Sequence, residues 1–130
     1  MAGIDTISAQ QLDEYYRQDV VFIIDLRSPK EYLECHYFGA LNLPYEDFDE
    51  IENTILEHLP KEGLMILYCD RGSASLMAAR ELMKKGYRVK SVVGGIHSYN
   101  GSKLYFSPMH SKINKSTFYG PERQNKESCL

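Results

Sequence analysis

The sequence contains no apolar run near the roughly 18 residues that a membrane-spanning helix needs. Met1 to Ser8 has neither the basic start nor the apolar stretch of a secretory signal. No membrane contact is therefore expected, and a cytoplasmic location is. Cysteine is scarce: Cys35, Cys69 and Cys129 form neither an even set nor a C-x-x-C pair. That excludes a disulfide framework and a zinc ribbon, and suggests free thiols in a reducing compartment. Basic charge is not in excess either. A net charge of -3 leaves nucleic acid outside the expected partners of the whole molecule. Internal repeats are absent as well. What is present is an ordinary globular mixture, 43% hydrophobic and 25% charged. At 130 residues the chain suits one domain that buries about two-thirds of its unfolded surface around a single core.

Charge is unevenly divided. Residues 1–100 carry 10 Lys+Arg and 16 Asp+Glu, whereas residues 101–130 carry 5 and 2. The chain therefore reads as a folded body over 1–100 followed by a basic extension over 101–130. The extension shows neither helical nor alternating periodicity, yet it keeps Leu104, Tyr105, Phe106, Phe118 and Tyr119. Such apolar groups suit packing against the body or against a protein partner.

Within the body, strand and helix patterns alternate. Ser8 with Gln11 forms a capping-box pattern opening a helix over Ala9 to Arg17. VVFIID, Val20 to Asp25, is an apolar run of strand length, as in a strand covered on both faces. Ser28, Pro29 and Glu31 open a second, short helix, and Ala40 to Leu43 reads as a brief strand. Phe48, Ile51, Ile55 and Leu59 recur at helical spacing over Glu46 to His58, ahead of Pro60. Leu64 to Tyr68 is the next strand, a helix capped by Ser73 or Ser75 runs to Lys85, and Val89 to Val93 is the last strand before Gly94 and Gly95. This alternation predicts an α/β fold with a largely parallel sheet between helices.

One stretch carries the chemistry. In LMILYCDRGSASLMAAREL, Leu64 to Leu82, a buried strand ends at Cys69 and a helix begins a few residues later. Ligands of parallel sheets sit beyond the carboxyl ends of the strands. A tight loop there turns N–H groups inward, and the helix N-terminus adds its dipole, so both favour an anion. An ordinary free thiol is only about 3% ionised at pH 7, so such a setting makes a nucleophile of a cysteine. Gly72, Ser73 and Ala74 surround it with little side-chain bulk. The alternative is a small core residue, which free cysteines often are.

Three blocks in order, DLRSPKEYLECHYFGALNLP (Asp25 to Pro44), LYCDRGSAS (Leu67 to Ser75) and VVGGIHSYNG (Val92 to Gly101), resemble a single-domain rhodanese, a sulfurtransferase. The resemblance covers Ile7 to Gly101. It implies a three-layer sandwich with a central parallel five-stranded sheet flanked by helices. It also implies transfer of sulfane sulfur from a small donor such as thiosulfate to a thiol or cyanide acceptor, through a persulfide on Cys69, with no metal or organic cofactor. On this reading Asp70, Arg71, Gly72, Ser73, Ala74 and Ser75 form the substrate-binding loop, with Arg71 docking an anionic donor and Asp70 pairing with Arg71. Asp25 and Arg27 form a supporting ion pair, and His36, Gly94 and Gly95 are structural supports. Three positions depart from the family pattern: Ala74 where many members have arginine, Cys35 where glycine is common, and Tyr99 where tryptophan is usual. Cys35 adds a second thiol, which would resolve an oxidised Cys69 only if the fold brings the two sulfurs within bonding distance. Two other functions fit the same fold, a binding or regulatory module without turnover and a phosphatase or arsenate reductase. The latter uses a longer loop closed by arginine, and residue 75 is serine.

Overall fold

The computed structural model describes residues 3–18, 21–47 and 62–106. Its strands are β1 (Thr6–Ile7), β2 (Val21–Asp25), β3 (Cys35–Tyr37), β4 (Leu41–Asn42), β5 (Leu64–Tyr68), β6 (Arg88–Val92) and β7 (Leu104–Phe106). Its α-helices are α1 (Leu12–Tyr16), α2 (Pro29–Glu34) and α3 (Ser73–Lys84), with 3-10 turns at Ala9–Gln11, Tyr45–Asp47 and Gly95–Ser98.

Five strands form one parallel sheet in the order β1-β6-β5-β2-β4. The central strand, β5, is buried along its whole length, and its alternation divides the core. Ile66 and Tyr68 join Leu12, Tyr37, Val92 and Tyr99 on one face. Met65, Leu67 and Cys69 join Ile24, Ala78, Ala79 and Leu82 on the other. The second set comes largely from α3, whose buried Ser75, Ala78, Ala79 and Leu82 share one helical stripe. Cys69 thus continues the α3-facing side of the strand. Full burial of each large side chain contributes about 1.5–3 kcal/mol.

Local signals act where the spacing predicts. Ser28 Oγ accepts from Glu31 N–H at 3.2 Å, with Pro29 in the first turn, so α2 starts where its capping box requires. Gln11 Oε1 accepts from Ser8 N–H at 2.8 Å at the first helical turn. Three strands were not foreseen, β1, β3 and β7. β1 is a two-residue edge strand bonded to β6, too short for any period. β7, from the segment expected to be extension, pairs antiparallel with β3, placing Cys35 opposite Phe106 and Tyr37 opposite Leu104. The helix expected over Glu46 to His58 lies mostly outside the described residues.

Candidate active site

The β2–β5–β6 register brings three polar residues together at the carboxyl end of the sheet. Asp25 is level with Tyr68, and Leu67 is level with Ser91. Cys69 follows immediately and is only 6% exposed. Its Sγ accepts from Gly72 N–H at 3.0 Å and from Ser75 N–H at 3.4 Å. Both donors belong to the turn and first residues of α3, where N–H groups lack partners inside the helix. The loop therefore closes around the sulfur as a cradle suited to negative charge. Beneath it, Ser75 Oγ lies 3.7 Å from Sγ, 3.1 Å from the Gly72 carbonyl and 2.7 Å from Ser91 Oγ. Both serines are buried.

The turn after β6 fixes the loop from behind. Ile96 N–H donates to the Cys69 carbonyl at 2.9 Å and His97 N–H to the Asp70 carbonyl at 3.2 Å. Gly95 sits so close that a Cβ built there would overlap those same two carbonyls. Gly72 takes φ 110°, which L-side chains resist. It is Gly72, not Ser73 or Ser75, that occupies the N-cap of α3: the loop needs a positive φ at the turn, and Ser75 Oγ is spent on the Gly72 carbonyl and Ser91.

Asp25 and Arg27 form a buried ion pair, 2.9 Å from Oδ2 to the guanidinium. Asp25 also accepts from Tyr68 Oη at 2.6 Å and from Arg27 N–H at 2.8 Å. Arg27 reaches on to the Cys35 carbonyl, and Tyr68 Oη accepts from Tyr37 N–H at 2.9 Å. Burial alone would make the guanidinium easier to deprotonate, but hydrogen bonding and charge from Asp25 outweigh it and hold it above its usual range. Tyr68 is held well above the ordinary phenol range by burial and then by Asp25. His36 stands away from the sulfur, stacked on Tyr32 at 3.8 Å with Nδ1 facing the Tyr32 carbonyl at 2.8 Å.

In front of Cys69 opens a cleft of about 440 Å³. Its lining includes Arg27, Glu31, Tyr45, Glu46, Asp70, Arg71, Ser73 and Ala74. Gly72 instead faces a hollow on the far side of the loop, which Arg71 and Ser73 also line. Burial opposes ionisation of Glu31, but hydrogen bonds from Ser28 outweigh it and hold the carboxyl below its usual range. Asp70 moves the other way, pushed up by burial and then by the Glu31 charge. Among the described residues no ion pair joins Asp70 to Arg71. Nor does any group of three or more His, Cys, Asp or Glu among them gather so as to hold a metal ion.

The family model of the Rhodanese-like domain fits residues 8–102. The chain belongs to the rhodanese-like domain family. It is 39% identical over 77 residues to a tRNA sulfurtransferase of Desulfurococcus amylolyticus, a match that spans 59% of this chain and 14% of that protein. It is 32% identical over 77 residues to a sulfurtransferase of Allochromatium vinosum, covering 58% of this chain and 68% of that one. A crystal structure of a Bacillus halodurans protein superposes with a TM-score of 0.69 at 23% identity, over 95% of this chain and 90% of that one, a likeness of fold.

Set in this rhodanese-like domain, the expectation for Cys35 changes. Cys35 is buried and disulfide-bonded, and among the described residues Cys69 is a free thiol, so Cys35 is not a resolving thiol for Cys69. Among the described residues no helix is long and apolar enough to cross a membrane. Sequence reasoning also passed over Ser91, Glu31 as a cleft residue, and Glu46. Ser91 had one usable signal: it stands two residues after Val89 in the strand RVKSV, on the face that alternation buries. The two glutamates had none, because their approach to Cys69 is tertiary.

Proposed function

We propose that this rhodanese-like domain is a sulfurtransferase that carries sulfane sulfur as a persulfide on Cys69. The observation that carries the reading is the pair of backbone donors, Gly72 N–H and Ser75 N–H, on a sulfur at the floor of an open cleft. Thiolate Cys69 attacks the outer sulfur of the donor, the donor's bond to that sulfur breaks, and the remainder leaves with the electron pair, as sulfite when the donor is thiosulfate. The amides that hold the thiolate also hold the persulfide anion, so the cradle serves both resting states. A thiol or cyanide acceptor then removes the outer sulfur and returns Cys69 as thiolate. Asp25, Arg27, Gly94 and Gly95 act by holding the loop, and His36 supports the fold at a distance.

The test is intact mass after exposure to a sulfur donor and removal of the excess, beside a Cys69→Ser variant. The expected gain is about 32 Da in the unaltered protein only, reversed by cyanide with release of thiocyanate. No gain with thiosulfate or with any organic persulfide sinks the reading.

A further inference from the structure

The cleft is more acidic than transfer from a small sulfur anion requires. Glu31, Glu46 and Asp70 line it together with Cys69. Of the two arginines there, Arg27 is taken up by Asp25 and the Cys35 carbonyl, which leaves Arg71. Glu31 projects from the first turn of α2, where Ser28 N–H and Ser28 Oγ hold its Oε1 at 3.2 and 3.0 Å. Asp70 comes from the loop itself and lines the same cleft as Glu31, and its carboxyl is pushed up by burial and then by the Glu31 charge. Arg27 and His97 draw Asp70 the other way without reversing that shift. These carboxylates gather no metal site among the described residues, so their charge acts on whatever approaches the sulfur.

Thiosulfate is a dianion and must reach a thiolate past that rim. In a water-like dielectric, one carboxylate about 8 Å from a dianion lowers its local concentration about fivefold, less at high salt. We propose that Glu31 and Asp70 determine specificity in this site, selecting a sulfur donor with positive charge beside its reacting sulfur and disfavouring anionic donors. The proposal rests on the persulfide reading of Cys69. The chemistry balances without an oxidant or reductant. Cys69 thiolate attacks the outer sulfur of a donor R–S–SH, a new S–S bond forms to Cys69, and the donor's S–S bond breaks. The inner sulfur leaves as a thiolate and the proton stays on the transferred sulfur. A neighbouring ammonium lowers the pKa of the departing thiol, which also speeds its departure.

Three donors decide the matter: a cysteine-persulfide hexapeptide flanked by lysines, the same peptide flanked by glutamates, and thiosulfate. The rate of sulfur loading on Cys69 is measured for the unaltered protein, Glu31→Gln and Asp70→Asn, at low and at molar salt. Gln at position 31 keeps the capping box of α2, so the first variant changes charge while sparing the helix. The lysine peptide should load at least about tenfold faster than the glutamate peptide. That ratio should fall about fivefold in each variant and collapse in molar salt. Equal loading from both peptides, or a ratio that neither variant moves, overturns the proposal and leaves the persulfide reading standing. Absence of sulfur on Cys69 with all three donors overturns the reading itself and the proposal with it.

Discussion

Replacing Gly95 with alanine tests whether the turn after β6 sets the position of the sulfur. Gly95 has φ 66°, and a new Cβ would overlap the Cys69 and Asp70 carbonyls. The obstacle is backbone, so a rotamer change cannot relieve it. The strand end must retreat by about 1 Å to regain van der Waals separation. Positive φ costs alanine about 1 kcal/mol, and the Ile96 N–H and His97 N–H bonds to those carbonyls are worth about 1 kcal/mol each. The sum, about 3 kcal/mol, should lower the Tm by about 10 °C. A shift of that size also carries Sγ away from Gly72 N–H, now 3.0 Å distant, and should slow sulfur loading about 100-fold. Gly39→Ala is the control, since φ there is 86° but the nearest atom, Tyr16 Cε1, would lie at an ordinary 3.5 Å. It should lose about 1 kcal/mol and keep its loading rate. Paired calorimetry and loading assays read both effects. If the two variants lose equal stability and both load normally, the Gly95 turn does not position Cys69.

Other outcomes follow from the buried polar groups. Ser91→Ala should slow alkylation of Cys69 by iodoacetamide at pH 7 by about three- to tenfold, because Ser75 Oγ loses the hydroxyl 2.7 Å away that orients it; Ser91→Thr should restore the rate, and an unchanged rate in the alanine variant refutes the coupling. Asp25→Ala should cost about 3–5 kcal/mol in urea unfolding, because it strands the buried Arg27 charge. Tyr68→Phe should cost less, about 1–3 kcal/mol, by removing one donor to Asp25 and one acceptor from Tyr37 N–H; the reverse order would contradict the network. Spectrophotometric titration at alkaline pH should show a subset of the 10 tyrosines ionising late. Tyr99 is pushed up to about 12 by burial and by Asp13, against the Lys103 N–H that works the other way. Tyr37 and Tyr68 are raised as well, by burial and by Asp13 and Asp25 respectively. A folded value above the unfolded one means stabilisation that is complete below about pH 10 and lost as pH rises through the folded values. Alkaline unfolding should therefore accompany the late phase, and ionisation of all tyrosines near pH 10 with the fold intact would refute it.

Much of the frame was legible because local chemistry and tertiary structure agree. LMILY is apolar throughout and becomes the buried central strand, Leu64–Tyr68, and Ser28, Pro29 and Glu31 open α2 as their spacing demands. The place of Cys69, first residue beyond that strand, followed from the same pattern. What could not be read depends on distant partners. β3 and β7 pair across some seventy residues of chain, and a three-residue strand carries no periodicity to announce it. The serines of the loop looked like caps because serine commonly is one, but a positive φ at Gly72 decided the geometry. Glu31 was legible as a capping residue. Its second face, toward Asp70 and the cleft, exists only once α2 has docked beside the end of β5.

The cradle around Cys69 is assembled from parts that come together at different times. Gly72 and Ser75 are near neighbours in the chain, and that loop can close as soon as α3 begins. Ser91, Ile96 and His97, which brace it, arrive only when β6 docks alongside β5. Parallel pairing of distant segments is slow compared with helix formation. During refolding the sulfur therefore passes through a stage in which its loop is unbraced, and the cradle is fixed in the step that completes the sheet. A thiol-reactive dye pulsed at successive delays would time that step, so the side chain that does the chemistry is also a clock for the fold.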